Sequence, residues 1–264
     1  MEIPRDPRLH SLEWRDLTQV SRAQVAAELL LSLPWLAGSL YLASRRLFLP
    51  ALALSFVFFL AGLRQVHGAC HYSVGVSRRV SEWVLFVLSV VMLGSMHAVQ
   101  VNHLRHHKYC LMPGDVEAAS ARLSGWRAIL VGPLFPLRLH RAALRHGSAR
   151  HRRWIRAELA ASALWVAAVF GLLDVPALRY HVAVMAVGQC FTSFFAVWTV
   201  HHGCEPSLHR FARTMRGIWA NALTMHMFFH VEHHLFPRVP TCHLPQLAKR
   251  LDQVAPEYKK MRVF

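Results

Sequence analysis

Acidic residues are scarce in this sequence: 14 Asp and Glu stand against 30 Lys and Arg, which gives a formal net charge of +16 over 264 residues. The chain is nevertheless 54% hydrophobic, with a positive mean hydropathy. A soluble domain this apolar would be hard to keep in solution, and a basic nucleic-acid-binding protein would not carry long uncharged apolar runs. The combination is typical of a membrane protein whose basic loops meet anionic lipid on the cytoplasmic face, with no nucleic-acid partner.

The sequence also lacks the motifs of a built-in redox cofactor. Its five cysteines are scattered and form no CxxC, which argues against a disulfide framework and a four-cysteine iron–sulfur set. There is no HPGG haem motif and no Rossmann glycine fingerprint. The N-terminus is charged for over twenty residues before the first apolar run, so we do not expect a cleavable signal peptide.

Four apolar stretches approach the length that spans a bilayer, and they fall at 24–44, 47–63, 157–177 and 180–200. Short turns join each pair into a hairpin. A fifth apolar stretch, 84–96, is shorter, and a crossing there would put the histidines on its two sides in opposite compartments. We therefore predict an all-α integral membrane protein with four transmembrane helices in two hairpins and a re-entrant or interfacial segment.

Basic residues predict the orientation of this bundle. The stretch 122–156 contains nine arginines, and under the positive-inside rule this places both termini and the histidine clusters in the cytoplasm. If the source is bacterial, the membrane is the inner, cytoplasmic membrane. The run 137–156 resembles a basic helix lying on the lipid headgroups. The expected organisation is one domain, 1–264. Its parts are a cytosolic segment 1–23, the hairpins within 24–200 with a basic interfacial region 111–156, and a cytosolic helical cap 201–264.

Histidine is abundant, and eight of the 19 histidines fall into three clusters. HGACH contributes His67 and His71, HLRHH contributes His103, His106 and His107, and HVEHH contributes His230, His233 and His234. Residues spaced i, i+3 and i+4 share one face of a helix, so each cluster presents its imidazoles together. Such repeated clustering indicates metal binding.

Eight ligands exceed what one ion can use, so the pattern predicts two ions. Imidazole suits iron, zinc, copper and nickel. Two tetrahedral zinc ions would be saturated by eight ligands, whereas two five- or six-coordinate irons would keep positions open for O₂. Ligand counting at this stage leaves the metal undecided.

The order HxxxH, HxxHH, HxxHH, with the tail HVEHHLFPRVPTCHLPQL, resembles the membrane-bound histidine-box fatty acid desaturases and hydroxylases over roughly residues 50–250. The resemblance implies a non-haem di-iron centre at the cytoplasmic mouth of four helices, ligated by the eight clustered histidines. It also implies O₂-dependent desaturation or hydroxylation of an acyl-type chain that enters between the helices.

The resemblance suggests one further ligand upstream of the last cluster, and His201 and His202 are the candidates. Only one of them is expected to face the metals, since neighbours differ by a hundred degrees around a helix. His226, one turn before His230, is a possible ligand or supporting residue. The first cluster has Gly68 where related chains commonly carry an acid, so Asp115 and Glu232 are candidates to orient imidazoles instead, or else ion-paired acids beside arginines.

The leading functional prediction is an O₂-dependent membrane oxidoreductase that desaturates a fatty acyl lipid, with hydroxylation or ketolation of an acyl chain or carotenoid as an alternative. A zinc-dependent membrane hydrolase is a second alternative. A metal transporter is disfavoured, because transporters place ligands inside their spans. The basic face predicts an acidic external electron donor such as a ferredoxin or rubredoxin with its reductase.

Overall fold

The computed structural model describes residues 6–263, and within this range the regular secondary structure is helical apart from one isolated parallel bridge between Thr214 and Arg262. The helices are α1 (Arg22–Leu30), α2 (Leu33–Ser44), α3 (Phe48–Cys70), α4 (Arg78–Met92), α5 (Met96–Tyr109), α6 (Gly125–Leu130), α7 (Leu134–His146), α8 (Ala149–Gly171), α9 (Pro176–Gln189), α10 (Thr199–His201), α11 (Ile218–Thr224), α12 (His230–Leu235) and α13 (Leu244–Val254). Short 3₁₀ segments lie at Pro7–Ser11, Arg15–Thr18, Glu117–Arg122, Thr241–His243 and Pro256–Lys260, and a π-helical turn at Phe194–Trp198 precedes α10.

Three helical segments are long and apolar enough to cross a membrane, namely Arg22–Ser44, Phe48–Cys70 and Ala149–Gly171. Two bent pairs would raise this number to five if each were a span: α4 with α5, bent by 116°, and α9 with Phe194–His201, bent by 46°. The predicted all-α class is therefore confirmed, with three to five candidate membrane spans, whereas the four-span arrangement remains a prediction.

The predicted single basic helix over 137–156 is wrong. α7 ends at His146, and α8 begins at Ala149 and continues into an apolar segment. The break lies at Gly147 and Ser148, where both residues are extended and the Ser148 hydroxyl accepts a hydrogen bond from the backbone N–H of His151. A capping serine directly after a glycine is a strong signal for one helix ending and another beginning.

Specific backbone and side-chain contacts hold the sharp bend between α4 and α5. Leu93 adopts the left-handed conformation at φ +60°, and Ser95 caps α5. The carboxylate of Glu158 on α8, fully buried, accepts hydrogen bonds from the Ser95 hydroxyl at 2.5 Å and from Nδ1 of His97 at 2.5 Å. Glu158 thereby fixes the N-terminus of the helix that carries the second histidine cluster.

Buried apolar residues form two main clusters. One joins α3, α4 and α9 with Met227 and Phe228, and the other joins the N-terminal segment, α5, α7 and α13. A buried ion pair between Arg64 of α3 and Glu28 of α1, with one contact at 2.6 Å, ties the N-terminal helix to the bundle. The histidine clusters lie on helices that belong to both regions.

Candidate metal centre

Each histidine cluster is displayed by a helix that enters the centre from a different direction. The first cluster lies at the end of α3, with His67 in its last turn and His71 as its C-cap. The second lies in the last two turns of α5, and the third opens α12. α10, which ends at His201, completes the set.

The structure brings nine imidazoles into two groups, and within each group the ligand nitrogens lie within 4.8 Å of one another. The first group consists of His67, His71, His103, His107 and His233. The second group consists of His106, His201, His230 and His234. All eight histidines of the three clusters are therefore gathered together, and His201 is the ninth.

Three of the nine imidazoles are anchored through Nδ1. His103 donates from Nδ1 to Glu117 at 2.7 Å, His106 donates to Asp115 at 2.8 Å, and His201 donates to the carbonyl oxygen of Phe211 at 2.9 Å. A carboxylate or carbonyl partner fixes the proton on Nδ1, which leaves Nε2 of a neutral ring with its lone pair exposed. Asp115 and Glu117 thus aim one imidazole each into the second and first groups.

The Nε2 atoms within each group lie close to one another. In the second group, Nε2 of His201 lies 3.0 Å from that of His106 and 2.9 Å from that of His230, and His234 lies 3.1 Å from His230. Because Nδ1 of His201 donates to the Phe211 carbonyl oxygen, Nε2 of its neutral ring turns a lone pair toward these neighbours, and a metal cation among them would bind that lone pair. The first group repeats the pattern, with His233 at 3.1 Å from His71 and 2.9 Å from His107.

Burial keeps the third cluster neutral and ready to ligate. Desolvation, reinforced by neighbouring imidazoles, lowers the pKa of His230, His233 and His234 well below the ordinary 6.5. Neither ring nitrogen of His67 has a hydrogen-bond partner among the described residues, although both are buried. A buried imidazole without a partner is costly, and a metal ion in the first group would satisfy it.

Asp115 is ionised in this setting. Burial raises the pKa of its carboxyl, but hydrogen bonds from His106 and from the backbone N–H groups of Leu111 and Ala118 outweigh burial and leave that pKa below its ordinary value. The Asp115 carboxylate therefore supplies negative charge beside the second group. Burial lowers the pKa of His106 in that group, but Cys110 and Asp115 outweigh burial and hold that pKa well above its ordinary value.

The other predicted site residues lie outside the two groups. His202 points away, its ring stacked on Trp198 at 4.2 Å with Nδ1 donating to the Trp198 carbonyl oxygen. His226 lies half-buried at φ +67° against Phe229. Neither residue takes part in a group of candidate ligands.

Glu232 does not orient an imidazole. Its carboxylate accepts hydrogen bonds from Thr214 at 2.8 Å and from Arg216 at 2.7 Å. Burial raises the pKa of Glu232 even though Arg216 opposes the shift. Glu232 is therefore an ion-paired acid, because it lies two residues, or about 200° around α12, from both His230 and His234 and faces away from them.

Sequence reasoning missed Glu117 and the Phe211 carbonyl. Glu117 follows Asp115 by two residues in GDVEAAS, and in a chain this poor in acids two carboxylates just after a histidine cluster are a usable signal. A backbone carbonyl leaves no signal in the sequence, because every residue has one.

A narrow cavity of about 70 Å³ adjoins the centre. Its histidines are His67, His103 and His230, and most of its remaining wall is apolar, with side chains from α3, α5, α7 and the Ala196–Val200 segment. The cavity places an apolar guest directly against imidazoles of both groups.

These features define an all-helical membrane protein whose clustered histidines are placed to hold a pair of metal ions beside an apolar cavity. A sequence model of the family described as fatty acid desaturase matches residues 44–264. The chain belongs to the fatty acid desaturase family, which confirms the resemblance noted from the histidine clusters. No curated protein matches the chain significantly.

Proposed function

We propose that this protein is an O₂-dependent oxidoreductase that removes two hydrogens from a fatty acyl chain at a histidine-ligated di-iron centre. The observation that carries the proposal is the convergence of nine imidazoles in two groups on the wall of an apolar cavity. The family supports the same reaction class.

The number of ligands in the first group favours iron over zinc, whereas the four imidazoles of the second group suit either metal. A zinc ion in a protein takes four ligands in almost all structural sites, and three with an open position in catalytic ones. The first group offers five imidazoles, which exceeds the zinc preference and suits a five- or six-coordinate ion. Two irons held by these residues would supply the reductive activation of O₂ that breaking an unactivated C–H bond requires.

The chain's own residues position the metal ligands and the acyl substrate and exclude water from the site. Asp115, Glu117 and the Phe211 carbonyl hold the ligand rings in one tautomer and one orientation. The apolar side chains around the cavity, among them Val99, Val200 and Phe228, hold a methylene segment beside His67 and keep it dry. Positioning of this kind is the main contribution a protein makes to such chemistry.

The reaction balances with an external donor. One CH₂–CH₂ unit loses two hydrogens and becomes CH=CH, while O₂ takes those two hydrogens together with two protons and two further electrons and leaves as two waters. An acidic ferredoxin or rubredoxin with its reductase is the proposed source of the two electrons, drawn to a protein of net charge +16.

The proposed setting is a multi-pass protein with four transmembrane helices in two hairpins and its metal centre and termini on the cytoplasmic side. The arginine-rich stretch 122–156 supports this orientation. α4 and α5 together form the re-entrant segment, and their 116° bend supports that assignment.

The function is tested by expressing the chain with ferredoxin and its reductase and profiling cellular lipids by mass spectrometry. We expect a product that lacks two hydrogens, and its loss in His106→Ala and His233→Ala. A product with one added oxygen would show a hydroxylase on the same centre. Purified protein with stoichiometric zinc, no iron and no O₂ consumption would contradict the proposal and favour a hydrolase.

A further inference from the structure

A second cavity reaches the metal centre from a different side. It is open to solvent, has a volume of about 770 Å³ and shares no lining residue with the apolar cavity. His107 and His234 lie in its wall. These two rings stack at 4.3 Å, and His107 belongs to the first group whereas His234 belongs to the second. One imidazole of each group is therefore reachable from this cavity.

The rim of this cavity is positively charged. Lys108 and Arg238 are exposed, and neither forms an ion pair with any residue in the range 6–263. The one acid in the lining, Asp6, is 2% exposed and is neutralised by Arg8 at 2.6 Å. Two exposed cations that have no ion-pair partner within the described range attract a partner of negative charge.

The wall behind these cations is apolar and aromatic. Trp14 packs against Phe236 at 5.4 Å, and Leu235 and Pro237 continue the surface. An apolar centre with a charged rim is the composition of a protein–protein interface, where the apolar part gives affinity and the rim gives orientation and association rate.

We propose that this cavity is the docking surface for an acidic one-electron carrier protein, an inference that rests on the proposed oxidoreductase function. A carrier seated here lies against His107 and His234 while the acyl chain occupies the separate apolar cavity, so the two partners do not compete for space. Each docking event transfers one electron and releases the oxidised carrier, and two events supply the two electrons that the reaction takes from outside.

The test measures binding rather than turnover. The full-length protein in lipid nanodiscs is titrated with an acidic plant-type [2Fe–2S] ferredoxin, and Kd is measured as a function of salt. We expect Lys108→Glu and Arg238→Glu each to weaken binding about five- to tenfold and to flatten the salt dependence. The matched control is Lys249→Glu, which makes the same charge change at an exposed lysine on α13 that lines a different pocket; we expect less than about a twofold effect.

Three outcomes would overturn the docking surface. The first is a loss in Lys249→Glu as large as that in the rim variants. The second is unchanged ferredoxin affinity in both rim variants, with or without weakened binding of an acyl substrate. The third is a change in oligomeric state in the rim variants, which would show that a second copy covers the surface.

The iron content of the untreated purified protein is measured beside ferredoxin binding, which separates this proposal from the proposed function. A chain that is purified from iron-replete cells without iron but binds ferredoxin through Lys108 and Arg238 would contradict the di-iron function and leave the docking surface standing. A chain that desaturates lipid but binds ferredoxin independently of both residues would support the proposed function and contradict the docking surface.

Discussion

At the scale of single residues, the scarce acids carry much of the organisation of the centre. Asp115 and Glu117 each hold one imidazole, in different groups. The first cluster has Gly68 where an acid is common in the family it resembles, and the structure gives a reason: a Cβ at this position would lie 3.3 Å from Cγ1 of Val74, tighter than ordinary contact. The supporting carboxylates come instead from the loop and 3₁₀ segment after α5.

Replacing these acids should weaken metal binding without unfolding the chain. We expect Asp115→Asn and Glu117→Gln each to reduce metal affinity about 10- to 100-fold, because a neutral amide holds the imidazole less firmly and adds no negative charge. Competition titration with a chelator measures the affinity. Asp174→Asn, at a residue whose side chain is 93% exposed, is the control, and equal affinities in all three variants would contradict the role of the two acids.

His201 and His202 make a matched pair for a second test. We expect His201→Ala to lose metal from the second group, because it removes one of four ligands, whereas His202→Ala should retain the full metal content of the parent. Metal analysis of the purified proteins gives the result. Metal loss from His202→Ala with retention in His201→Ala would reverse the assignment.

At the scale of helices and turns, the centre depends on close approach between segments far apart in sequence. Gly132, between α6 and α7, faces the backbone carbonyl of Cys190 at the end of α9. A Cβ there would press against that oxygen, and neither backbone has a flexible end that can move aside. The contact sets the position of α7, which lines the apolar cavity through Phe135 and Leu139.

We therefore expect Gly132→Ala to lower the apparent Tm by about 3–10 °C, in line with an overpacking cost of about 1–3 kcal/mol. Gly171→Ala is the control, because a Cβ at Gly171 meets nothing within 4 Å and alanine favours a helix. Thermal unfolding of both variants in detergent compares them, and equal Tm values would show that the Gly132 contact is not tight.

At the scale of the whole molecule, the convergence of four helices on one centre limits the possible membrane topologies. These helices are α3, α5, α10 and α12. The three histidine clusters face each other, so an odd number of crossings between any two of them is excluded unless a segment is re-entrant. The 116° bend between α4 and α5 is compatible with the proposed re-entrant segment.

Cysteine labelling in sealed vesicles tests the proposed four-span arrangement. Ser44→Cys and Asp174→Cys lie at exposed hairpin turns, and Ser11→Cys lies in the exposed N-terminal segment. With an impermeant maleimide we expect the two turn positions to react from one side of the membrane and position 11 to react only from the opposite side. The labelling of each variant is compared with that of the parent protein. Reaction of all three from one side would contradict two membrane hairpins.

Much of this protein was predictable from the sequence. Helical spacing placed eight ligand histidines, because the imidazoles of HxxxH and HxxHH must share a helix face, and apolar runs predicted the membrane helices because the bilayer sets their length. The break at Gly147–Ser148 was available as a capping signal but was overlooked within a strongly basic run. His140 and His181, which belong to none of the three clusters, are held by hydrogen bonds to backbone groups outside the centre.

The sequence by itself determined the eight clustered histidines, the all-helical class and the apolar helices, since these follow from local periodicity and composition. Only the tertiary structure decided that His201 rather than His202 joins the second group, that Glu117 supports His103 while Glu232 pairs with Arg216, and that two separate cavities reach the histidine groups. Those outcomes depend on which side chains meet after distant helices pack, and a contact between residues 95 or 128 positions apart, such as that of His106 with His201 or His234, leaves no pattern within any short window of sequence.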